Sequence, residues 1–150
     1  MKRNSQLAAT LHALIHMAEH DGPMTSEALS ACFDTNPVVV RRTLAGLREA
    51  GLVASEGGRG GGWRLARPLA KISLHQVYDA LGAPSLFHVG PREAASPCLI
   101  DHAVVAAMAG AFDEAEALLL KRLADITLAD IAADFRQRAA KRGKDKRHAS

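Results

Sequence analysis

The sequence predicts a mainly α-helical fold with a small β-hairpin, and three features support this prediction. Residues 25–50 read as two short helices joined by a tight turn, and residues 52–66 as two short strands joined by a glycine-rich tip. Residues 99–123 carry apolar side chains at helical spacing. In this order the elements form a winged helix-turn-helix domain followed by a long C-terminal helix. The 150 residues suffice for one domain with an appendage.

Two helices are expected in the first part of the chain. Residues 5–20 form the first, and the turn-forming segment 21–23 would end it. Thr25 is placed to cap the second helix, which is expected to end near Asp34. Because Cys32 lies in this short packed helix, it is expected to be an inert, buried residue.

Three histidines of the first helix, His12, His16 and His20, are spaced four residues apart. This spacing places them on one side of a helix, where they could hold a metal ion. A solvated or half-buried polar stripe gives the same spacing and is far more common. The sequence therefore predicts no metal site.

The third helix is expected to carry a basic surface. Asn36 can accept a backbone N–H at its start, and Pro37, which has no N–H, suits the first helical position. Gly51 is expected to end it. Arginines lie off the apolar stripe of this helix, at positions Arg41, Arg42 and Arg48. Such a helix fits the major groove of DNA, where arginine reads guanine edges.

A glycine-rich tip, residues 56–62, joins strands expected at 52–55 and 63–66. Both flanks look like strands, whereas a phosphate-binding loop lies between a strand and a helix. A thin glycine ribbon can approach the minor groove, whose narrow A–T tracts attract an inserted arginine. Arg59 in the tip is therefore the predicted minor-groove residue.

Two further helices are predicted from capping signals. Ser73 and Gln76 have the spacing of a capping box, which starts a helix that ends near Leu81. Glycines and prolines then mark a loop over residues 82–97. Thr127, three residues before Asp130, is expected to cap the last helix.

The long helix from residue 99 to about 123 has an apolar stripe that a winged domain of about 80 residues does not need for its own core. This outer stripe consists of Ile100, Val104, Met108, Ala111, Ala115, Leu118 and Leu119. The same helix of a second copy would cover it, which predicts a homodimer through residues 99–123, with 99–123 acting as a dimerisation helix. The alternative is that the helix packs back onto its own winged domain.

The predicted elements divide the chain into four parts. They are a winged helix-turn-helix DNA-binding domain (1–85), a linker or sensor loop (86–98), the dimerisation helix with a C-terminal helix (99–140), and a basic, disordered tail (141–150). Charge is segregated along the chain: the net charge is +3 over residues 1–71, −6 over 72–135 and +6 over 136–150. A basic front and an acidic middle suit a protein that presents one face to a polyanion.

Several segments occur in the order and spacing of one known family. They are Asn36-Pro37-Val38-Val39-Val40-Arg41-Arg42, Leu47, Gly51-Leu52-Val53, Ser55, Gly60-Gly61-Gly62-Trp63, Leu65-Ala66, Ile72-Ser73-Leu74 and Val77. In these segments, which cover most of the first 85 residues, the chain resembles the Rrf2 family of bacterial winged helix-turn-helix transcription regulators. The resemblance implies a dimeric repressor or activator.

The resemblance also implies which side chains contact double-stranded DNA. Specificity would come from the start of the third helix in the major groove, at Asn36, Val38, Arg41, Arg42 and Thr43. Arg59 would enter the minor groove, and Arg48 and Arg64 are candidate phosphate contacts. Val38 and Val39 are apolar where several relatives are polar, so methyl contacts to thymine could form here.

Proteins of this family often carry an iron–sulfur cluster bound by three closely spaced cysteines in the loop before the long helix. In this chain that loop has Cys98 alone, so no such cluster and no other cofactor is predicted. Cys98 lies at a helix N-terminus, where the dipole favours the thiolate, and His102 lies one turn further on. A redox switch at Cys98 and a plain packing role both stay open.

The sequence contains no nucleophile triad, zinc-protease motif or nucleotide-binding loop, so an enzyme is not predicted. Two cysteines cannot form a disulfide framework and no apolar stretch is long enough to cross a membrane, so a cytoplasmic protein without a membrane partner is expected. The favoured function is a homodimeric, sequence-specific DNA-binding regulator, a repressor on a pseudo-palindromic operator, which an oxidant or an unknown small effector could control. A winged-helix module that binds only proteins is the alternative.

Overall fold

The computed structural model describes residues 2–87 and 97–148. These ranges contain six α-helices and one two-stranded antiparallel hairpin, which confirms the predicted mainly helical fold with a small hairpin. A short 3₁₀ turn, Leu69–Lys71, follows the hairpin. In chain order the helices and strands are α1 (Lys2–Glu19), α2 (Ser26–Phe33), α3 (Pro37–Glu49), β1 (Val53–Glu56), β2 (Gly62–Leu65), α4 (Leu74–Ala80), α5 (Leu99–Asp125) and α6 (Leu128–His148).

Local side-chain caps define the helix-turn-helix. The Thr25 hydroxyl accepts the Ala28 N–H (3.1 Å) at the start of α2. Asp34 ends α2 in the left-handed region (φ 48°), which reverses the chain toward α3. The Asn36 side-chain carbonyl then accepts the N–H groups of Val38 and Val39 (3.0 and 3.2 Å). Because each cap satisfies backbone donors that a helix start leaves unpaired, the predicted start of each helix is confirmed.

The end of α3 is a Schellman motif centred on Gly51. Gly51 has a positive φ of 72°, its N–H donates to Arg48 O (2.9 Å), and the Leu52 N–H donates to Leu47 O (2.9 Å). This turn leads directly into β1, so the hairpin begins where α3 stops. The two strands are each displaced by one residue from the predicted ranges.

One aliphatic core unites α1 to α4 with the hairpin. Its fully buried side chains include Leu14, Leu29, Val40, Leu44, Leu47, Leu52, Val53, Ile72, Val77 and Leu128. The members from α3 repeat at the three- and four-residue spacing of a helix face. The opposite face of α3 is therefore left on the surface.

The base of the hairpin is fixed to the segment that precedes α2. Met24 and Trp63 pair through both backbone N–H···O bonds (2.9 and 2.8 Å), so Met24 forms an isolated antiparallel bridge with β2. The buried Trp63 ring donates its Nε1–H to the Ser26 hydroxyl (3.0 Å). A Cβ at Gly62 would lie 2.5 Å from the Met24 carbonyl oxygen, which explains glycine at this close approach.

The start of α6 belongs to the core of the winged domain. Leu128 and Ala132 are buried in that core, and the Leu128 N–H donates to Ile72 O (2.9 Å). Thr127 and Asp130 form the predicted cap, with the Thr127 N–H donating to the Asp130 carboxylate (2.8 Å). The first turn of α6 therefore packs into the core of the winged domain, although the sequence grouped this helix with the dimerisation helix.

Helix α6 also extends further than predicted. It continues to His148, so residues 141–148 of the predicted tail lie in α6. Lysine and arginine are good helix formers and are favourable near a helix C-terminus, which explains the extension. Most of the predicted sensor loop, residues 88–96, lies outside the described residues.

Helix α5 is apolar on two sides. Its inner face, made of Val105, Phe112, Leu120 and Leu123, is half-buried, and the Phe112 ring lies 5.4 Å from the Phe87 ring between centroids. The outer stripe is exposed, with Ile100 at 73%, Val104 at 51% and Leu118 at 70% of full exposure. Across the described ranges, none of the helices is both long and apolar enough to cross a membrane.

Replacement of Ser26 by alanine should lower the free energy of unfolding by about 1 to 3 kcal/mol, because the buried Trp63 Nε1–H would lose its acceptor. Urea denaturation followed by far-ultraviolet circular dichroism measures this change. Trp63→Phe and the double variant complete a mutant cycle, in which the double variant should cost less than the two single changes added together. A Ser26→Ala protein as stable as the parent would contradict this role.

Candidate nucleic-acid interface

The exposed face of α3 starts with two apolar side chains. Val38 is 62% exposed and Val39 39% exposed, both in the first helical turn. Asn36 precedes them and is exposed, but its side-chain carbonyl is engaged as the cap of the helix. Its amide NH₂ group is the part left to donate to a ligand. The start of α3 thus offers methyl groups beside a polar amide.

Arginines continue this face along the helix. At about 100° per residue, Arg41 and Arg42 lie on the same side of α3 as Val38, opposite the buried Leu47, whereas Arg48 lies at the edge of this face. Thr43 is half-buried at the margin of this face. The structure therefore brings three of the predicted DNA-contacting side chains together, Val38, Arg41 and Arg42, with Thr43 and Arg48 at opposite edges of this face.

Arg41 has an acidic neighbour that the sequence did not suggest. Its Nη2 donates to the Glu27 carboxylate of α2 (2.7 Å), and both side chains are more than half exposed. Among the described residues, Arg42 makes no ion pair. An exposed ion pair contributes only about 0 to 1 kcal/mol, so the Arg41 guanidinium can be redirected by a stronger anion.

The wing, which consists of β1, β2 and the glycine-rich tip between them, lies beside the C-terminal half of α3. The Arg48 guanidinium lies 5.8 Å from the centroid of the Trp63 ring, a cation–π distance, and its Nη1 donates to the Ser55 hydroxyl (3.2 Å). Arg64 of β2 pairs with Glu56 of β1 (2.5 Å). These contacts hold the two predicted phosphate-contacting arginines along the junction of α3 and the hairpin.

The tip of the wing is thin and carries one cation. Glu56 pairs with Gly62 at the last register position, and the residues between them are glycines except Arg59. Gly58 and Gly60 on either side of Arg59 have positive φ angles of 83° and 75°. Arg59 is exposed, so its guanidinium projects from a backbone ribbon that has no other side chains at the tip.

The sequence did not predict a second arginine contact either. Arg67, after β2, donates to the Ala50 carbonyl oxygen at the end of α3 (3.3 Å). A cation at a helix C-terminus is favourable because the last carbonyls are unpaired. Arg67 is 17 positions from Ala50, and Arg41 is 14 positions from Glu27. Neither separation follows a helical or strand spacing, so neither contact could be predicted from the sequence.

The candidate redox residues lie at the start of α5. Cys98 is the N-cap residue and is exposed, and the His102 backbone N–H donates to the Cys98 carbonyl oxygen (3.2 Å). The other cysteine, Cys32, lies in α2. A cluster held by three closely spaced thiolates does not fit this donor set, because the whole chain supplies two cysteines, on different elements.

The chain matches the model of one protein family over most of its length. The matched residues are 3–134, and the family is Rrf2, described as iron-dependent transcriptional regulators. Two relatives from Bacillus subtilis are provisionally named HTH-type transcriptional regulators. YwnA is 28% identical over 85% of this chain and 95% of its own length. YwgB is 33% identical over 54% of this chain, and the match spans about half of YwgB, 52%.

Solved structures share the fold. A provisionally named transcriptional regulator from Lactobacillus plantarum has a TM-score of 0.70 at 23% identity, covering 95% of this chain and 97% of that one. IscR from T. potens has a TM-score of 0.61 at 23% identity, covering 83% and 80%. CymR from Staphylococcus aureus has a TM-score of 0.60 at 20% identity, covering 85% and 93%. With the family match over residues 3–134, the chain belongs to the Rrf2 family of transcriptional regulators.

Proposed function

We propose that this DNA-binding transcription regulator acts as a homodimer that recognises a pseudo-palindromic operator and represses transcription. The observation that carries the proposal is the exposed face of α3, where Val38, Arg41 and Arg42 lie next to a glycine wing that carries Arg59. A bound dimer would exclude the polymerase from an overlapping promoter. The proposed role involves no catalysis and is exercised in the cytoplasm.

The start of α3 is proposed to read bases in the major groove. The exposed Val38 methyl groups suit contact with thymine methyl groups, and the Asn36 amide NH₂ can donate to a base or phosphate acceptor. Arg42 can reach guanine without breaking an ion pair, and Arg41 only has to exchange Glu27 for DNA. Thr43, half-buried at the margin, would contact the adjacent backbone or base edge.

The wing is proposed to contact the flanking DNA. Arg59 would enter the minor groove, since the glycines around it let the backbone approach closely. Arg48 and Arg64 lie at the base of the wing, where the phosphates between the two grooves would pass. Their present partners are a hydroxyl, an aromatic face and an exposed carboxylate, which leave part of each guanidinium available.

The outer stripe of α5 supports a two-fold dimer. In the described part of the chain no residue covers Ile100, Val104 or Leu118, although the inner face of the same helix is half-buried. Exposed apolar surface of this extent is typical of an interface between proteins. A two-fold dimer would also set two α3 helices about one DNA turn apart, as a pseudo-palindrome requires.

The test of this function is selection of genomic fragments by the purified protein at moderate salt, followed by sequencing of the bound DNA. Enrichment of a palindromic motif is the expected result, and in vitro transcription from a promoter that overlaps the motif should then fall. Failure to enrich any sequence would favour the alternative, a winged-helix module that binds only proteins.

Arginine variants separate base reading from phosphate contact. Arg42→Ala should weaken binding to the selected operator by about 1 to 3 kcal/mol and relax its sequence preference, because a bidentate base contact is lost. Arg64→Ala should reduce the slope of log affinity against log salt by about one. Fluorescence anisotropy at several salt concentrations measures both.

The matched control is Arg138→Ala, which removes an exposed arginine of α6 that pairs with Asp134 of its own helix. It should change neither the operator affinity nor the sequence preference. If Arg41→Ala or Arg42→Ala weakened specific and random DNA equally, the proposed base-reading role of that arginine would be wrong.

Val104→Lys should convert the proposed homodimer into a monomer, because it places a charge within the apolar outer stripe. Sedimentation velocity should then give half the mass of the parent protein. Ala106→Lys is the control, since Ala106 is also exposed but lies on the opposite side of α5. A Val104→Lys protein that stays dimeric would place the interface elsewhere.

Peroxide treatment should weaken operator binding of the parent protein and leave Cys98→Ser unchanged, if the exposed Cys98 thiol is the redox-responsive group. Anisotropy before and after oxidation measures the effect, and reduction with a thiol should restore it. If oxidation also abolished DNA binding by the Cys98→Ser protein, the Cys98 thiol would not be the redox-responsive group. If the parent protein responded to neither oxidant nor reductant, a small effector would remain as the controlling signal.

A further inference from the structure

Two histidines and a cysteine from different helices meet on the side of the winged domain. The Nε2 atoms of His12 and His16 are 2.9 Å apart, and their ring centroids are 4.7 Å apart. The Cys32 Sγ of α2 joins them, so that the ligand atoms of all three residues lie within 4.8 Å of one another. His20, the third histidine of the sequence pattern, is turned instead toward the Gly22 carbonyl oxygen, with its Nδ1 at 3.1 Å.

We propose that His12, His16 and Cys32 form a binding site for a divalent cation of the zinc type. Imidazole nitrogen and thiolate sulfur are the ligands that Zn²⁺ prefers in proteins, and histidines at positions i and i+4 present two such nitrogens on one helix face. Carboxylate-rich sites favour Mg²⁺ or Ca²⁺, whereas this set contains no oxygen ligand. The site shares no residue with the proposed redox switch at Cys98 or with the proposed DNA contacts.

The spacing of the three ligand atoms is close to that of a bound ion. With Zn–N bonds of about 2.0 to 2.1 Å and Zn–S bonds of about 2.3 Å, a tetrahedral ion separates its ligand atoms by roughly 3.3 to 3.7 Å. The two Nε2 atoms would have to move apart slightly, and Sγ would have to approach them by at most roughly 1.3 Å. Both histidines are exposed, so their rings can make this adjustment and the fourth position is open to water.

A hydrogen bond between two neutral histidines also explains the 2.9 Å separation, but it does not involve the sulfur. In that bond one Nε2 carries the proton, whereas an ion needs both Nε2 lone pairs, with the ring protons on Nδ1. Binding would also release the proton of the Cys32 thiol, whose pKa is raised by burial. Participation of sulfur is therefore the property that distinguishes a metal site from a histidine pair.

An ion at this position would link α1 to α2. Helix α2 also carries Ser26, which fixes the wing through Trp63, and Glu27, which pairs with Arg41 of α3. The bound ion would thus stabilise α2, which contacts both the proposed reading helix α3 and the wing. Because binding occurs only in the folded state, it should raise the unfolding temperature.

The experiment uses the full-length protein after removal of bound metal with a chelator. Titration with Co²⁺ should give one ion per chain and a thiolate-to-cobalt charge-transfer band in the near-ultraviolet. Competition with Zn²⁺ against a chromogenic chelator then gives the zinc affinity. Cys32→Ser should abolish the charge-transfer band, and His12→Gln or His16→Gln should weaken zinc binding by at least about tenfold, since even second-shell losses cost this much.

Two matched controls carry the same residue types outside the cluster. His20→Gln and Cys98→Ser should keep the charge-transfer band, the zinc affinity and the zinc-dependent rise in unfolding temperature. Because His12 and His16 are exposed, their variants should fold even if Cys32→Ser does not, and circular dichroism checks this.

Absence of the charge-transfer band in the parent protein would overturn the proposal, as would zinc affinity that is unchanged in both His12→Gln and His16→Gln. A band that Cys98→Ser removes, while Cys32→Ser retains it, would also overturn it and assign the thiolate ligand to the start of α5. None of these results depends on DNA binding, so the proposed operator recognition is tested separately.

Discussion

The burial of Trp63 is the constraint on which the arrangement of the winged domain depends. A two-stranded hairpin is marginally stable by itself, because its few cross-strand bonds do not offset the entropy of ordering it. Here the indole ring is buried, its N–H is paired with Ser26, and its backbone pairs with Met24. The ring also supports the Arg48 guanidinium from α3. One side chain thus ties together the hairpin, the start of α2 and the end of α3.

The arginines on this scaffold are held by weak, exposed contacts. Arg41 pairs with Glu27, Arg64 with Glu56, and Arg48 donates to a hydroxyl. Surface pairs of this kind restrict the rotamers of a long side chain while contributing little stability. A guanidinium that is already oriented loses less conformational entropy when it meets a phosphate or a base. The acidic partners, Glu27 and Glu56, would also disfavour DNA of the wrong sequence. Their carboxylates repel phosphate, and only DNA that makes the full set of base contacts would offset this repulsion.

The sequence predicted the features of this fold that depend on local chemistry. Asn36 with Pro37, Ser73 with Gln76, and Thr127 with Asp130 each cap a helix within four residues, so their roles follow from spacing alone. Gly51 and the glycine tip likewise reflect local backbone needs. The elements and their order were therefore predictable, and their ends were predicted to within a few residues, except at the tail, where α6 continues through a segment rich in lysine and arginine.

The unpredicted features join residues that are far apart in the chain. Glu27 approaches Arg41 only once α2 and α3 have packed, and Arg67 meets the end of α3 only after the hairpin has turned back. The histidine spacing on α1 correctly placed His12 and His16 together, yet it suggested His20 as the third member, whereas packing of α2 supplies Cys32. Helical spacing predicts which residues share one face of a helix. It does not predict which neighbouring helix lies against that face, because this depends on the packing of the elements.

Helix α5 shows how an apolar pattern can have two physical causes. An amphipathic helix that covers its own domain needs one apolar face, and the half-buried Val105, Phe112 and Leu123 provide it. The outer stripe through Ile100, Val104 and Leu118 lies on another side and remains exposed although the first face is already packed. The two alternatives considered for this helix are therefore compatible, because its own chain occupies one face and leaves the other uncovered. A helix that is apolar on two faces requires two neighbours, and the second copy of the chain is the neighbour that two-fold DNA recognition would supply.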